Sequence, residues 1–501
     1  MRRSRVAGSL LPLSSVLSSV LAMSALAGCP DRSIDEVKPQ QGRVEAKDIP
    51  VNINRQLDLL FVIDDSPSMA DKQANLADNF PKFIDVLKSI PGGLPDVHIG
   101  VVTSDMGTQG PPPSFGPTVG AGLPGACSGV GKDGVMQTFG QPVNAVYISD
   151  TTDPAPSRNY TGDLATVFGN IAKGAGARGC GFEQHLAAAQ RALVNPANAG
   201  FLRDNAYLGI IYIADEDDCS LGDFKLLADD ATSRNTLGAV QSFRCTRFGV
   251  LCNQGGQSPD QMNQVGTKSQ CHSNDDSPFL AKINDLVTAL KAVKKNDPNK
   301  IIVAGIVGSV DQFAVELRTP PGEKTAIPAL AHSCSYTDRN GQTEVADPPI
   351  RIKTFLDQFP NRSTFVPICQ KDLSGGLQQI GDLLKTVIGD PCIEGVLQNF
   401  GTTAAPVYDC SVSSVTNPGT NDAKETIMPE CPASGALPNT PCWHIVADPV
   451  NCPASTDPKT GAPIHPGSLK LMFENNAPPT MGGPDVHVIA NCVTQTPPPT
   501  K

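Results

Sequence analysis

The chain has 501 residues, 40% of them hydrophobic and 18% charged, with a formal net charge of −11. That length suits two or three domains with sizeable cores, and an acidic chain without a Lys/Arg-rich block excludes nucleic acid as an expected partner. Glycine and proline, at 46 and 45 residues, imply many loops.

Residues 1–28 read as a signal peptide. Arg2, Arg3 and Arg5 form a positive start, a serine-containing apolar stretch follows, and the segment closes on "LAGC", Leu26 to Cys29. This ending resembles the bacterial lipobox, which implies a lipid on Cys29; a plain signal peptide is the alternative. Removing the segment takes away three positive charges and no acid, so the charge goes from −11 to −14. Attachment to an anionic membrane is then expected through acyl chains and not through charge. Residues 29–50 are polar and irregular, a lipidated tether. Pro30 and Asp31 carry no clear retention signal, so the outer membrane is the expected destination. No later stretch is long and apolar enough to cross a membrane.

Residues 51–392 alternate strands with helices. "LDLLFVI" at Leu57 and "VHIGVVT" at Val97 are continuous apolar runs, which fits strands buried on both faces. Between them, Leu76, Phe80, Phe83, Ile84 and Leu87 recur at helical spacing. "EQHLAAAQRALV" is a helix, and "LGIIYIAD" is a third core strand that ends in an acid. A helix at 278–295, the strand "KIIVAGIVG", and a last helix, strand and helix over 350–389 complete the series. The pattern predicts an α/β fold with a doubly wound, mostly parallel sheet. Long insertions at 106–161, 220–275 and 308–346 are expected to be pinned by disulfides. Residues 393–492 are rich in Pro, Thr and Cys with short strand-like pieces, a small disulfide-stapled β module, and 493–501 is an expected disordered tail.

Ligands of doubly wound sheets bind beyond the carboxyl ends of the strands. Here those ends carry oxygen: Asp64, Ser66 and Ser68 after the first strand, Asp105 after the second, Asp215 to Asp218 after the third. Hydroxyl and carboxylate oxygens suit a hard divalent ion, Mg²⁺ first, with Ca²⁺ or Mn²⁺ as alternatives. Ser66 and Ser68 also suit a helix start, as N-caps.

The run Asp64-Asp65-Ser66-Pro67-Ser68 resembles the DxSxS element of the von Willebrand factor A domain, the metal-ion-dependent adhesion site of that family. Asp215 is similar in place to the family's later aspartate. The resemblance implies a metal held by Asp64, Ser66, Ser68 and Asp215, with one position open for an acidic residue of a protein ligand. The family's intervening threonine is missing; Glu183 or Gln184 stands nearest. Either Glu183 replaces it as ligand, which would favour Ca²⁺, or the position is vacant. Asp105 and Asp217 are candidates for the outer shell.

Fifteen cysteines leave fourteen once Cys29 is lipidated, an even number that reads as disulfides in an exported chain. No CxxC and no zinc-spaced Cys/His set occurs. Nine cysteines, Cys127 to Cys392, and five, Cys410 to Cys492, make both groups odd, so a bridge between them is expected, with Cys392 the natural candidate. The implied fold brings the loops of Cys180 and Cys219 together beside the metal, so that pair is expected. With no GxSxG, HExxH, phosphate loop or Cys/His dyad, an enzyme is not expected. Two functions remain: a cell-envelope lipoprotein that binds a protein ligand through its cation, or a structural lipoprotein built on a metal-free scaffold.

Overall fold

In the computed structural model, the described residues are 44–47, 55–388 with short gaps, and parts of 393–493. The expected signal peptide, Cys29, most of the tether, Cys392 and the tail beyond Val493 lie outside them.

Seven strands form the central sheet: β1 Gln56–Ile63, β2 Asp96–Thr103, β3 Ile148–Thr151, β4 Ser157–Arg158, β5 Tyr207–Ile213, β6 Ile301–Val307 and β7 Ser363–Pro367. Their order is β7-β6-β5-β1-β2-β3-β4. Strands β1, β2, β5, β6 and β7 pair in parallel; β3 and β4 add an antiparallel edge. The continuous apolar runs are buried end to end in β2, β5 and β6, as expected of strands covered on both faces.

Six helices matter for that cover: α1 Ala70–Lys88, α2 Leu164–Gly174, α3 His185–Val194, α4 Ile283–Val293, α5 Ile350–Leu356 and α6 Ser374–Ile388. Side chains alternate along β1. Leu57, Leu59, Phe61 and Ile63 enter one apolar layer with Phe80 of α1, Phe168 of α2 and Leu377 of α6. Leu60 and Val62 enter the opposite layer with Leu186 of α3, Leu286 of α4 and Phe355 of α5. Phe61 anchors the first layer, its ring 4.7 Å from Phe168 and 5.6 Å from Phe83, centroid to centroid.

The insertions hold more structure than expected. Residues 106–161 contribute β3 and β4 to the central sheet. Residues 308–346 include the hairpin Cys334–Thr337 and Thr343–Ala346. Among the described residues, disulfides join Cys127–Cys180, Cys219–Cys245, Cys252–Cys271, Cys334–Cys369, Cys410–Cys492 and Cys431–Cys442. The expected Cys180–Cys219 pair is therefore corrected. Each of these cysteines staples its own loop to an insertion instead, Cys180 to the 106–161 segment and Cys219 to the 220–275 segment.

Near the C-terminus, Val486–Val493, Cys410–Thr416 and Lys424–Met428 form an antiparallel sheet, and Val44–Lys47, expected in the tether, is its edge strand. Trp443 closes its core, with Nε1 donating to the Met428 carbonyl at 2.9 Å.

Non-reducing peptide mapping should recover Cys127–Cys180 and Cys219–Cys245 as separate bridges. A peptide linking Cys180 to Cys219 would contradict the arrangement.

Candidate metal centre

The chain runs outward from β1 to β2 and β3, then crosses back to β5 on the other side of β1. That reversal opens a crevice at the carboxyl ends of β1 and β5. The two strands stay in register to their last residues, Ile63 beside Ile213, and the Asp64 N–H donates to the Ile213 carbonyl at 2.9 Å. Asp64 and Asp215 are thus delivered to one place by a pair of strands whose last residues, Leu59–Ile63 and Ile210–Ile213, are apolar and buried.

Local geometry shapes the first loop. The Ser66 N–H donates to Asp64 Oδ1 at 2.7 Å, folding the chain back on the carboxylate. Ser66 is extended and makes no side-chain cap to the 3₁₀ turn Pro67–Met69. Its hydroxyl lies 2.9 Å from the Ser68 hydroxyl, and Ser68 Oγ donates to Asp215 Oδ1 at 3.1 Å. The structure therefore brings Ser66, Ser68 and Asp215 into one chain of oxygens, a use that helix capping does not explain.

Glu183 arrives from the loop before α3. It is 1% exposed and borders the same cleft as Ser68 and Asp215. Its loop is held by the Cys127–Cys180 bridge, by the Gln184 N–H to the Ser104 carbonyl at 3.0 Å, and by the Cys219 N–H to Glu183's own carbonyl at 2.7 Å. Among the described residues, Glu183 Oε2 and Asp64 Oδ2 are both buried without a hydrogen-bond partner. Such atoms are expensive in a dry site and rare without a function. The cleft has a volume of about 240 Å³ and is bordered further by Glu216, Asp347, Phe243 and Leu330.

The acids crowd one another. Burial, with Glu216 and Asp64 nearby, pushes Glu183 well above the usual carboxylate range. Burial and Asp347 do the same to Glu216. Burial and Asp64 push Asp215 up to about 7, against the pull of Lys72. Asp64 alone is lowered: burial opposes its charge, but His185 and the Ser66 N–H outweigh it. His185 is fully buried, its Nε2 3.7 Å from Asp64 Oδ2, and neither ring nitrogen has a partner.

The remaining candidates are used elsewhere. Gln184 bonds to the Leu221 N–H and the Gln109 carbonyl. Asp105 Oδ1 accepts the Gly107 N–H at 2.9 Å within its own loop. Asp217 borders the cleft, but its oxygens accept the N–H groups of Arg351 and Ile352 and so cap α5. Asp105 thus gives one oxygen, and Asp217 both, to backbone donors.

Among the described residues, the three acids whose oxygens all come within 4.8 Å of one another are Asp71, Asp338 and Glu344, not Asp64, Asp215 and Glu183. Three carboxylates bound directly to Mg²⁺ at about 2.1 Å would lie within about 4.2 Å of each other. Asp64, Asp215 and Glu183 do not all come close enough together here for one such ion to touch all three carboxylates directly.

Lys72, His185 and Asp347 were not foreseen, while Glu216 belongs to the acidic run after the third strand. Lys72 had a signal: it falls four residues before Leu76 and eight before Phe80, on the buried face of α1.

No protein-family model matches the sequence, and no curated protein matches it. Among solved structures, the chain is similar to the pilus adhesin (RrgA) from Streptococcus pneumoniae at 12% identity and a TM-score of 0.22. The match covers 90% of this chain and 57% of that one. A likeness at that level fixes neither fold nor function.

The raised acids set a pH dependence. Asp215 at about 7, and Asp65 and Asp217 at about 6, hold protons in the folded state that the unfolded chain releases near 3.8. The folded state binds more protons in that window, so stability falls as pH rises through it. In chelator, the urea midpoint should drop from about pH 4 to about pH 7, and divalent ions should flatten the drop. A midpoint that climbs steadily over that range would contradict the assignment.

Proposed function

We propose that this chain is a cation-dependent binding protein of the bacterial cell envelope, built on a von Willebrand factor A-like domain. The sheet order, with its antiparallel strand beside β2 and its crossing back past β1, supports that fold reading. The observation that carries the function is the oxygen cluster itself: Ser66, Ser68 and Asp215 linked by hydrogen bonds, with two buried carboxylate oxygens beside them left unpaired. These residues fit a hard divalent ion. Ser66 and Ser68 would hold it by their hydroxyls, and Asp64, Asp215 and Glu183 would supply charge directly or through water. A bound ion supplies an electrophilic position for the carboxylate of a protein partner. Glu183, where the family has a threonine, adds negative charge and tilts the site from Mg²⁺ toward Ca²⁺. A lipid on Cys29 would hold the domain at the outer membrane, and the disulfides among the described residues suit an oxidising compartment.

A metal-free scaffold is the second reading, and one observation favours it. The ammonium of Lys72 stands 2.9 Å from Asp215 Oδ2 and already gives that acid a counter-charge.

Calorimetric titration of the purified protein with Mg²⁺, Ca²⁺ and Mn²⁺ separates the two. Asp64→Ala should lose at least about tenfold in affinity. Glu183→Gln should also bind more weakly and shift toward Mg²⁺, yet melt higher in chelator, because it removes a buried carboxylate with an unpaired oxygen. A wild type that takes up no ion at millimolar levels, or an Asp64→Ala variant that binds as well, would leave the scaffold reading standing.

A further inference from the structure

Lys72 stands on the buried face of α1 and is 2% exposed. A lysine is placed there at a large desolvation cost unless its charge is met. It is met completely. Nζ lies 2.9 Å from Asp215 Oδ2, donates to the Ser68 carbonyl at 3.0 Å and to Glu344 Oε2 at 3.1 Å. An ammonium has three N–H donors, and here each has one oxygen. Burial works against the charge on Lys72, yet Asp215 and Glu344 win and hold its pKa above that of a free lysine.

We propose that Lys72 is a built-in competitor for the cation: its ammonium supplies to Asp215 the counter-charge that a divalent ion would supply, which limits divalent affinity and keeps the metal-free protein folded. The inference rests on the cation-binding reading of the same site. Two features beyond the ion pair support it. Lys72 takes only one oxygen of Asp215; the other faces Ser68 and the cluster. The third oxygen of the tripod, Glu344, belongs to a hairpin that is fixed to the site independently of Lys72. The Cys334–Cys369 bridge pins the base of that hairpin, and the Asp347 N–H just beyond it donates to the Asp215 carbonyl at 2.7 Å. The cage around the ammonium is therefore rigid. An ion approaching Asp215 meets a fixed positive charge on the far side of the same carboxylate, and that repulsion is strong where water is excluded.

The opposite role is equally concrete. A lysine hydrogen-bonded to the free oxygen of a ligating carboxylate can orient it and support binding, and its loss then weakens affinity by about 10–100-fold. Substitution decides between them. Lys72→Met removes charge and donors at similar size; Lys72→Gln removes the charge and keeps N–H donors, which guards against a folding defect in the first.

Both variants should melt lower than wild type in chelator and gain more on adding Mg²⁺ or Ca²⁺, with calorimetric affinity at least about tenfold tighter. A variant that binds where wild type does not also supports the competitor role, while removing the cation-dependent function of the wild type. If wild type binds and the variants bind equally or more weakly, or if their melting temperatures fall by the same amount with and without ion, the competitor role is overturned and the cation site stands. If neither wild type nor variants take up an ion, the cation reading falls and takes this inference with it.

Discussion

The carboxyl end of the sheet is governed by one electrostatic constraint: more carboxylates are buried there than the protein's own cations can neutralise. Asp64, Glu183 and Asp215 are buried, and Glu216 and Asp347 border the same cleft. Lys72 meets Asp215, and His185 approaches Asp64 without reaching hydrogen-bond distance. Among the described residues, Glu183 has neither an ion-pair partner nor a hydrogen-bond partner for Oε2. A fold can keep such a group only by protonating it or by acquiring a cation. The first option explains the raised acids; the second is the proposed function.

Holding those acids together requires a frame that does not yield. The strands behind them supply it, since β1 and β5 carry apolar side chains into packed layers on both faces and leave no room to slide. The loops need separate restraint. Cys127–Cys180 holds the loop that leads to Glu183, and Cys219–Cys245 holds the loop that follows Asp215 and Glu216. The long insertions thus act as buttresses for the site. This also accounts for Asp217 and Asp218, which at first sight belong to the same acidic run. Asp217 caps α5, and Asp218 forms a fully buried ion pair with Arg351 at 3.1 Å, so both tie the loop down from below.

Much of this was legible in the sequence because its signals are short-range. Unbroken apolar runs mark strands covered on both faces, and β1, β2, β5 and β6 follow them closely. Acids and serines directly after such runs must emerge at the strand ends, which is where Asp64, Ser66, Ser68 and Asp215 lie, and Glu183 borders the same cleft as Ser68 and Asp215. What was missed depends on distant contacts. Strand β3 is four residues long and half-covered, too short to stand out inside an insertion. Cysteine spacing does not encode pairing, and Cys180 chose a partner 53 residues earlier over one in the neighbouring loop. The bonds from Asp217 to the backbone N–H groups of Arg351 and Ile352 join segments more than 130 residues apart, so no local pattern announces them. Helical spacing puts Lys72 on the buried face of α1, but its acceptor Glu344 lies 272 residues away, so its ion pairing is not legible locally.

The most direct test is to locate the ion. Crystals of the protein grown or soaked with Mn²⁺, measured for anomalous scattering, should show a peak in contact with the hydroxyls of Ser66 and Ser68 and beside Asp215. A peak only at the Asp71, Asp338 and Glu344 trio, or none at all at millimolar Mn²⁺, would contradict a cation held at the ends of β1 and β5.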